Sequence, residues 1–397
     1  MKLKHFLFGS MILVLVACIV ISGWNLIKED VTLATPTTEA TEVVTETQPP
    51  RETLSVAIFP YLPNLELCQT ILWQMWADIE PNVDLEFVYW DCFSDPDPSG
   101  IDVISYDAII MDYLVEHGYI QPLAPDTIGN TEGILPFAME GARHDGNLYG
   151  LPFLACSYFL IHYTEDEEMA QVQNFEELYD LLSVRKEWYS SDGLQFDIYD
   201  LPNLYLDALM DYTGTYTTFK EAPSLNPPDE TIRNQLWNIA SLIPEPADYA
   251  WADDFQERFA QGEGSAVYSF SESLYHMKDM LDQLTIRPIS FSEGENIPLY
   301  YTDIASIGSH VTDPEKKETC LKFIDLLASA QFQAQLCYGT GDVQYLLPAR
   351  EEVYYSAMKK YPLYEVLYFL VIDENNRVAR FGPDIFEYYD DVYRTFY

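Results

Sequence analysis

The chain has 397 residues, enough for two domains that each bury a core after an N-terminal segment of about 50 residues is set aside. Its 64 acidic against 21 basic residues give a formal charge of −43, which repels a phosphate backbone and excludes nucleic acid as a partner. Gly-x-Gly-x-x-Gly is absent, and the Cys and His are scattered rather than clustered, so neither a nucleotide cofactor nor a bound metal is expected.

Residues 1–27 carry an export signal, in which Lys2 and Lys4 precede the apolar run from Phe6 to Ile21. Within it Leu15-Val16-Ala17-Cys18 has the form of a bacterial lipobox, which makes Cys18 the lipidated residue. The run continues through Ile19, Val20 and Ile21 to Trp24, so an uncleaved single-span anchor is the rival. Either way the mature protein is expected outside the cytoplasm, tethered to the membrane through its N-terminus, as a monomer. Residues 28–52, rich in Thr and Glu with Pro36, Pro49 and Pro50, read as a disordered linker.

From Leu54 the pattern alternates. Leu54 to Phe59 reads as a buried strand, Leu65 to Ile79 as an amphipathic helix, Val83 to Tyr89 as a strand, and Asp102 to Met111 as another apolar run. Such βαβ order implies a mostly parallel sheet covered by helices, with ligands outside the carboxyl ends of its strands. Phe153 to Tyr163 is a further apolar run, and helical stretches follow at 174–183, 202–213 and 230–243. Ala266 to Phe270 reads as a strand leading into a helix from Ser271 to Leu284, with Ser271 as its N-cap; another strand begins near Ile304. Asp313-Pro314-Glu315 then opens a helix, with Pro at a first-turn position. Once Cys18 is set aside, Cys68, Cys92, Cys156, Cys320 and Cys337 remain, and an odd number leaves at least one thiol unpaired within the monomer.

Several blocks carry a resemblance. Val56-Ala57-Ile58-Phe59-Pro60-Tyr61-Leu62-Pro63, Leu85-Glu86-Phe87 with Trp90-Asp91, Leu135-Pro136-Phe137-Ala138, Tyr149-Gly150-Leu151-Pro152 ending in Cys156, Tyr301-x-Asp303 and Tyr345-Leu346-Leu347-Pro348-Ala349-Arg350 look like successive blocks of thiaminase type I. Solute-binding proteins share the Tyr-Gly-Leu-Pro turn; a Cys four residues after its Pro is the specific part. The resemblance implies an α/β, two-lobed fold of the type II periplasmic-binding-protein kind with a ligand cleft between the domains. It implies the division 54–155 plus 304–350 for the first domain and 156–303 plus 351–397 for the second, with crossings near Ala155 and Ile304. It also implies a thiamine-degrading transferase, in which the Cys adds to the pyrimidine of thiamine, the thiazole leaves, and an amine or other base takes its place without an organic cofactor. Residue by residue, Cys156 is then the nucleophile and Glu272 the general base. Asp107 and Asp303 hold the aminopyrimidine, with Tyr61 and Tyr301 nearby, and two family tyrosines appear here as Phe93 and Phe270.

The residue types suit that chemistry on physical grounds. Sulfur is strongly nucleophilic, but a thiol with an ordinary pKa of about 8.5 is only a few per cent thiolate at neutral pH, so a base is needed beside it. A carboxylate serves if burial raises its pKa towards neutrality. Aromatic rings stack on a flat heterocycle and attract a thiazolium. Taken by residue type alone, Cys156 in an apolar run is a small buried hydrophobe, Glu272 faces a helix dipole, and the tyrosines are packing residues. Asp107 amid apolar neighbours needs a partner. His162 and His276 have no partner visible in sequence. The competing function is a solute-binding lipoprotein that delivers thiamine or another small solute to an ABC transporter without chemistry.

Overall fold

Apolar runs that are buried on both faces lead the chain directly into a central sheet, starting where the polar N-terminal stretch ends. The computed structural model describes residues 51–396, apart from 125–126, 130, 190–191, 214–228, 244–254 and 294–295. The expected export signal, Cys18 and almost all of the linker therefore lie outside the described residues.

Strand β1 (Glu52–Ala57), helix α1 (Leu65–Ile79) and strand β2 (Val83–Phe87) form the first crossover unit, and β3 (Val103–Asp107) joins β1 on its other side, all three strands parallel. Asn64 caps α1 by accepting from the Leu67 amide at 3.0 Å, and Cys68, Ile71, Leu72 and Trp76 form its buried stripe. Next come β4 (Gly150–Cys156), β5 (Tyr158–Tyr163), α2 (Phe175–Trp188), β6 (Leu194–Gln195), α3 (Leu201–Thr213) and α4 (Glu230–Ser241). Strands β7 (Ala266–Phe270), β8 (Leu284–Arg287) and β9 (Leu299–Ile307) follow. Helix α5 (Pro314–Leu327) is capped by Asp313, which accepts from the Lys316 amide at 2.9 Å. The chain closes with β10 (Leu347–Pro348), α6 (Glu351–Ala357), α7 (Leu363–Val371), β11 (Arg377–Val378) and α8 (Ile385–Phe396).

Two sheets result. The larger runs β10-β4-β9-β3-β1-β2 with β11 added beside β9; the smaller runs β8-β5-β7-β6. The larger sheet is mixed rather than mostly parallel, because β9 lies antiparallel between β3 and β4. β9 is a strand returning from the smaller sheet, and its direction cannot be read from its apolar pattern, which is buried throughout.

The chain passes between the sheets at Ser157. Cys156 is the last residue of β4, and Tyr158 opens β5. The return falls in 288–298, between β8 and β9, and not near Ile304, which is the middle of a long, fully buried strand. The two passages are tied together, since Ser157 Oγ donates to the Leu299 carbonyl at 2.8 Å and the Ser157 carbonyl accepts from the Ser271 amide at 3.0 Å. Helix α6 packs on the helix Ala330–Ala334 and on β10, beside the larger sheet, whereas α8 packs on α3, beside the smaller one.

Candidate active site

Three adjacent strands end at the same place. β3 ends on Asp107 and β4 on Cys156, and the antiparallel β9 between them sets Asp303 opposite Asp107 and Tyr301 opposite Cys156. Residues opposite each other share a face, and positions 301 and 303 share it by the two-residue pleat, so all four side chains leave one face at one end of the sheet. A register shift between Asp303 and Ile304 marks a bulge just behind them. Asp107 also caps the turn that follows it, accepting from the Ile109 amide at 3.0 Å.

The smaller sheet delivers the fifth group. β7 pairs with β5, with Phe270 opposite Tyr158, and Glu272 stands two residues beyond its end. The expected helix from Ser271 to Leu284 does not form. Instead there is a short 3-10 turn, Ser271–Tyr275, and Ser271 does not cap it. The serines bond locally: Ser271 Oγ donates to Glu272 at 3.1 Å, and Ser269 and Ser273 share a hydroxyl bond of 2.6 Å. The tight turn brings the Glu272 carboxylate towards the end of β4, close enough to the Cys156 thiol for each to shift the other's ionisation.

Cys156, Glu272, Asp107 and Tyr301 line a cavity of about 950 Å³, together with Tyr61, Phe93 and Phe270. Asp303 does not line it; it lies behind Asp107 and is 6% exposed. The aromatic wall is built from contacts between rings: Phe59, Tyr61 and Phe93 have centroids 5.3, 6.5 and 6.0 Å apart. Tyr301 meets Phe270 edge-on at 5.2 Å, and Phe270 stacks on Tyr158 at 3.9 Å. Tyr61 is at the mouth, half exposed, and donates to Asp91 at 3.3 Å. The Tyr301 hydroxyl is buried, and no protein group bonds it.

Sequence reasoning missed a second group of lining residues. Asp197, Tyr199 and Asp200 come from the turn before α3, and Glu387, Tyr389 and Asp390 from α8. His276, which had no visible partner, also lines the cavity, whereas His162 lies in β5 outside it. The acidic and aromatic residues of 386–393 recur at helical spacing, which was the available signal. It was overlooked because nothing in sequence tied the last helix to the cleft.

The electrostatics follow from burial without a cation. Among the described lining residues there is no Lys or Arg. Burial pushes Glu272 up to about 7, opposed by its bonds from backbone, Cys156 and Ser271. Asp107 also rises to about 7, through burial and then the charge of Glu272. Asp303 is driven well above the carboxylate range by burial and by Asp107 and Glu272. Burial, followed by the charges of Glu272, Asp107 and Asp303, pushes the Cys156 thiol well above its ordinary value. Among the described residues no group of three His, Cys, Asp or Glu is arranged to hold a metal ion. All five described cysteines are free; four are buried, and Cys156 is the partly exposed one.

Comparison with known proteins agrees with this architecture. A family model described as bacterial extracellular solute-binding protein matches residues 95–366. Thiaminase-1 of Paenibacillus thiaminolyticus is 36% identical over 348 residues, covering 84% of each chain. The structure of Clostridium botulinum thiaminase I in complex with thiamin is 30% identical with a TM-score of 0.80, covering 86% of this chain and 98% of that one. The acarbose-binding GacH receptor of Streptomyces glaucescens, at 16% identity and a TM-score of 0.69 over 87% and 93% of the two chains, shares the two-lobed fold alone. A cysteine facing a glutamate at the carboxyl ends of these strands, in a chain this similar to those enzymes, places the protein in the thiaminase I family, on the fold of the bacterial extracellular solute-binding proteins.

Proposed function

We propose that the protein is a thiamine pyridinylase, a transferase that exchanges the thiazole of thiamine for an amine or other base, with Cys156 as nucleophile and Glu272 as base. The observation that carries this is Cys156 and the half-buried carboxylate of Glu272 lining one cavity with acids and aromatic rings, near enough to perturb each other's ionisation. Thiamine brings a positive charge into a cavity whose described lining residues include no Lys or Arg. The cation stabilises the ionised forms of Glu272 and Asp107, and it lowers the cost of making a thiolate beside them.

In the first step Glu272 takes the proton from Sγ as sulfur bonds to an electrophilic carbon of the pyrimidine. Ring electrons then break the bond from the bridging methylene to the thiazolium nitrogen, and the thiazole leaves as a neutral molecule. An amine attacks the methylene and loses its proton to a base, Glu272 or solvent. The carbon–sulfur bond breaks as the ring regains aromaticity, and Cys156 recovers a proton. One hard displacement becomes two easier steps. Asp107, opposite Asp303 in the strand register, can bond the exocyclic amine or share a proton with a ring nitrogen of the aminopyrimidine, with Asp303 beside it, and the buried Tyr301 hydroxyl is free to bond the ring.

We place the active chain outside the cytoplasm, in keeping with the family description. Residues 1–27 tether it to the membrane, through lipidated Cys18 or an uncleaved anchor, and it works as a monomer. We assign to its first lobe the larger sheet, including β11, with α6 and α7, which supports a lobe boundary after 378 rather than at 351. The test is incubation with thiamine and aniline. Free thiazole is expected from the unaltered protein and none from Cys156→Ser, which still binds thiamine. Binding without turnover in the unaltered protein selects the transporter reading instead.

A further inference from the structure

Part of the cavity wall comes from outside the strand ends that carry Cys156, Asp107 and Tyr301, and its acids have no role in the exchange reaction itself. Its wall has two sources: the turn Ile198–Asp200, bringing Asp197, Tyr199 and Asp200, and α8, bringing Phe386, Glu387, Asp390 and Tyr393 at helical spacing. The two are bonded to each other, with Tyr393 donating to the Tyr199 carbonyl at 2.9 Å, Tyr389 to Asn203 Oδ1 at 2.6 Å, and Tyr388 to the Pro202 carbonyl at 2.8 Å. Arg394 pairs with Asp390 at 3.3 Å and with Asp391 at 3.4 Å, but all three side chains are exposed, and Arg394 does not line the cavity. Solvent screens that pair and the exposed Glu387 and Asp390 alike, so the wall acts on a charged ligand chiefly at low salt. The N-terminal end of α8 is a positive feature at this rim, and Glu387 sits in its first turn, where it already satisfies the dipole.

We propose that this outer wall is a charge filter that admits the unphosphorylated thiamine cation and rejects its phosphate esters. The inference rests on thiamine being the substrate. Attack by Cys156 fixes the pyrimidine at the inner end of the cavity, where the unpartnered, buried Tyr301 hydroxyl awaits a ligand. The hydroxyethyl tail of the thiazolium, the point of phosphorylation, is remote from the reacting carbon and can approach Asp197, Glu387 and Asp390; Asp200, near Tyr301, is driven well above the carboxylate range by burial and adds little charge. A phosphate there meets carboxylates, with no Lys or Arg among the described lining residues to pair with it. The positive ring and the negative tail of an ester are thus treated oppositely by the same wall, so phosphorylation costs binding even though the reacting end is unchanged.

The test compares thiamine, thiamine monophosphate and thiamine diphosphate with the full chain, by kcat/KM and by binding to Cys156→Ser. The monophosphate is expected to fall about tenfold or more below thiamine at low salt, and the diphosphate further. Glu387→Gln combined with Asp390→Asn, both at exposed positions, is expected to narrow that gap by about threefold or more while weakening thiamine itself. Diphosphate handled as well as thiamine, or a gap unchanged in the double variant, overturns the filter and leaves the transferase reading standing. Failure of the unaltered protein to bind thiamine overturns both.

Discussion

Cys156 combines two properties found together in no other described cysteine: it is partly exposed, and it faces a base. Because Glu272 stands near 7 in the empty cavity, the ionised form that can accept the thiol proton is scarce in acid. The predicted kcat/KM therefore rises roughly tenfold per pH unit up to about pH 7 and then levels. Glu272→Gln removes that limb and lowers kcat by about 10²- to 10⁴-fold; a profile flat from pH 5 to 8 in the unaltered protein sinks the assignment. Stability carries the same signature with a worked sign. Asp107 has a folded pKa raised to about 7, so the folded state holds a proton that the unfolded state has lost, and its stabilising contribution fades as pH rises through that range. Asp107→Asn keeps the acceptor for the Ile109 amide, and it should stabilise the ligand-free protein by about 1–3 kcal/mol at pH 8 and hardly at pH 4, in urea melts at each pH. Sequence alone singled out Asp107, an acid among apolar neighbours. Glu272 and Tyr301 were named only through the family resemblance, because their placement depends on turns and registers that no residue type announces.

At the scale of elements, the run from Phe153 to Tyr163 shows where periodicity stops being informative. It is continuous in sequence, yet β4 and β5 belong to different sheets, and both are buried on both faces, so a single small, buried Ser157 is all that marks the change. The clear elements were those with chemical punctuation: α1 after Asn64, α5 after Asp313-Pro314, and β7 between polar turns. The expected helix after Ser271 is instead broken into the short turns Ser271–Tyr275 and Leu281–Gln283. Gly150, at the start of β4, tests how tightly the nucleophile's strand is seated. A Cβ there is driven into the Ala305 carbonyl oxygen and the Ile304 and Ser306 side chains of β9. Gly150→Ala should cost about 2 kcal/mol or more in denaturant midpoint, since backbone cannot give way as a flexible side chain can. A neutral result would mean that β4 and β9 are not so closely packed.

For the whole molecule, the two sheets meet where the chain crosses at Ser157 and returns at 288–298, and every proposed reacting group lies beside one of those passages or at the strand ends next to them. An acidic molecule of formal charge −43 with an acidic cavity draws cations in from solution. For thiamine, kcat/KM should fall by about threefold or more from 20 to 300 mM salt with kcat little changed, as stopped-flow binding can separate; an unchanged association rate contradicts steering. Bonding of sulfur to the substrate ring remains the claim on which the rest depends. Quenching the enzyme with thiamine in the absence of an added base, then measuring peptide masses, tests it most directly. The account predicts a pyrimidinylmethyl adduct on the peptide carrying Cys156 and none in Cys156→Ser; thiazole released at an undiminished rate by Cys156→Ser, with no adduct in either protein, would contradict it.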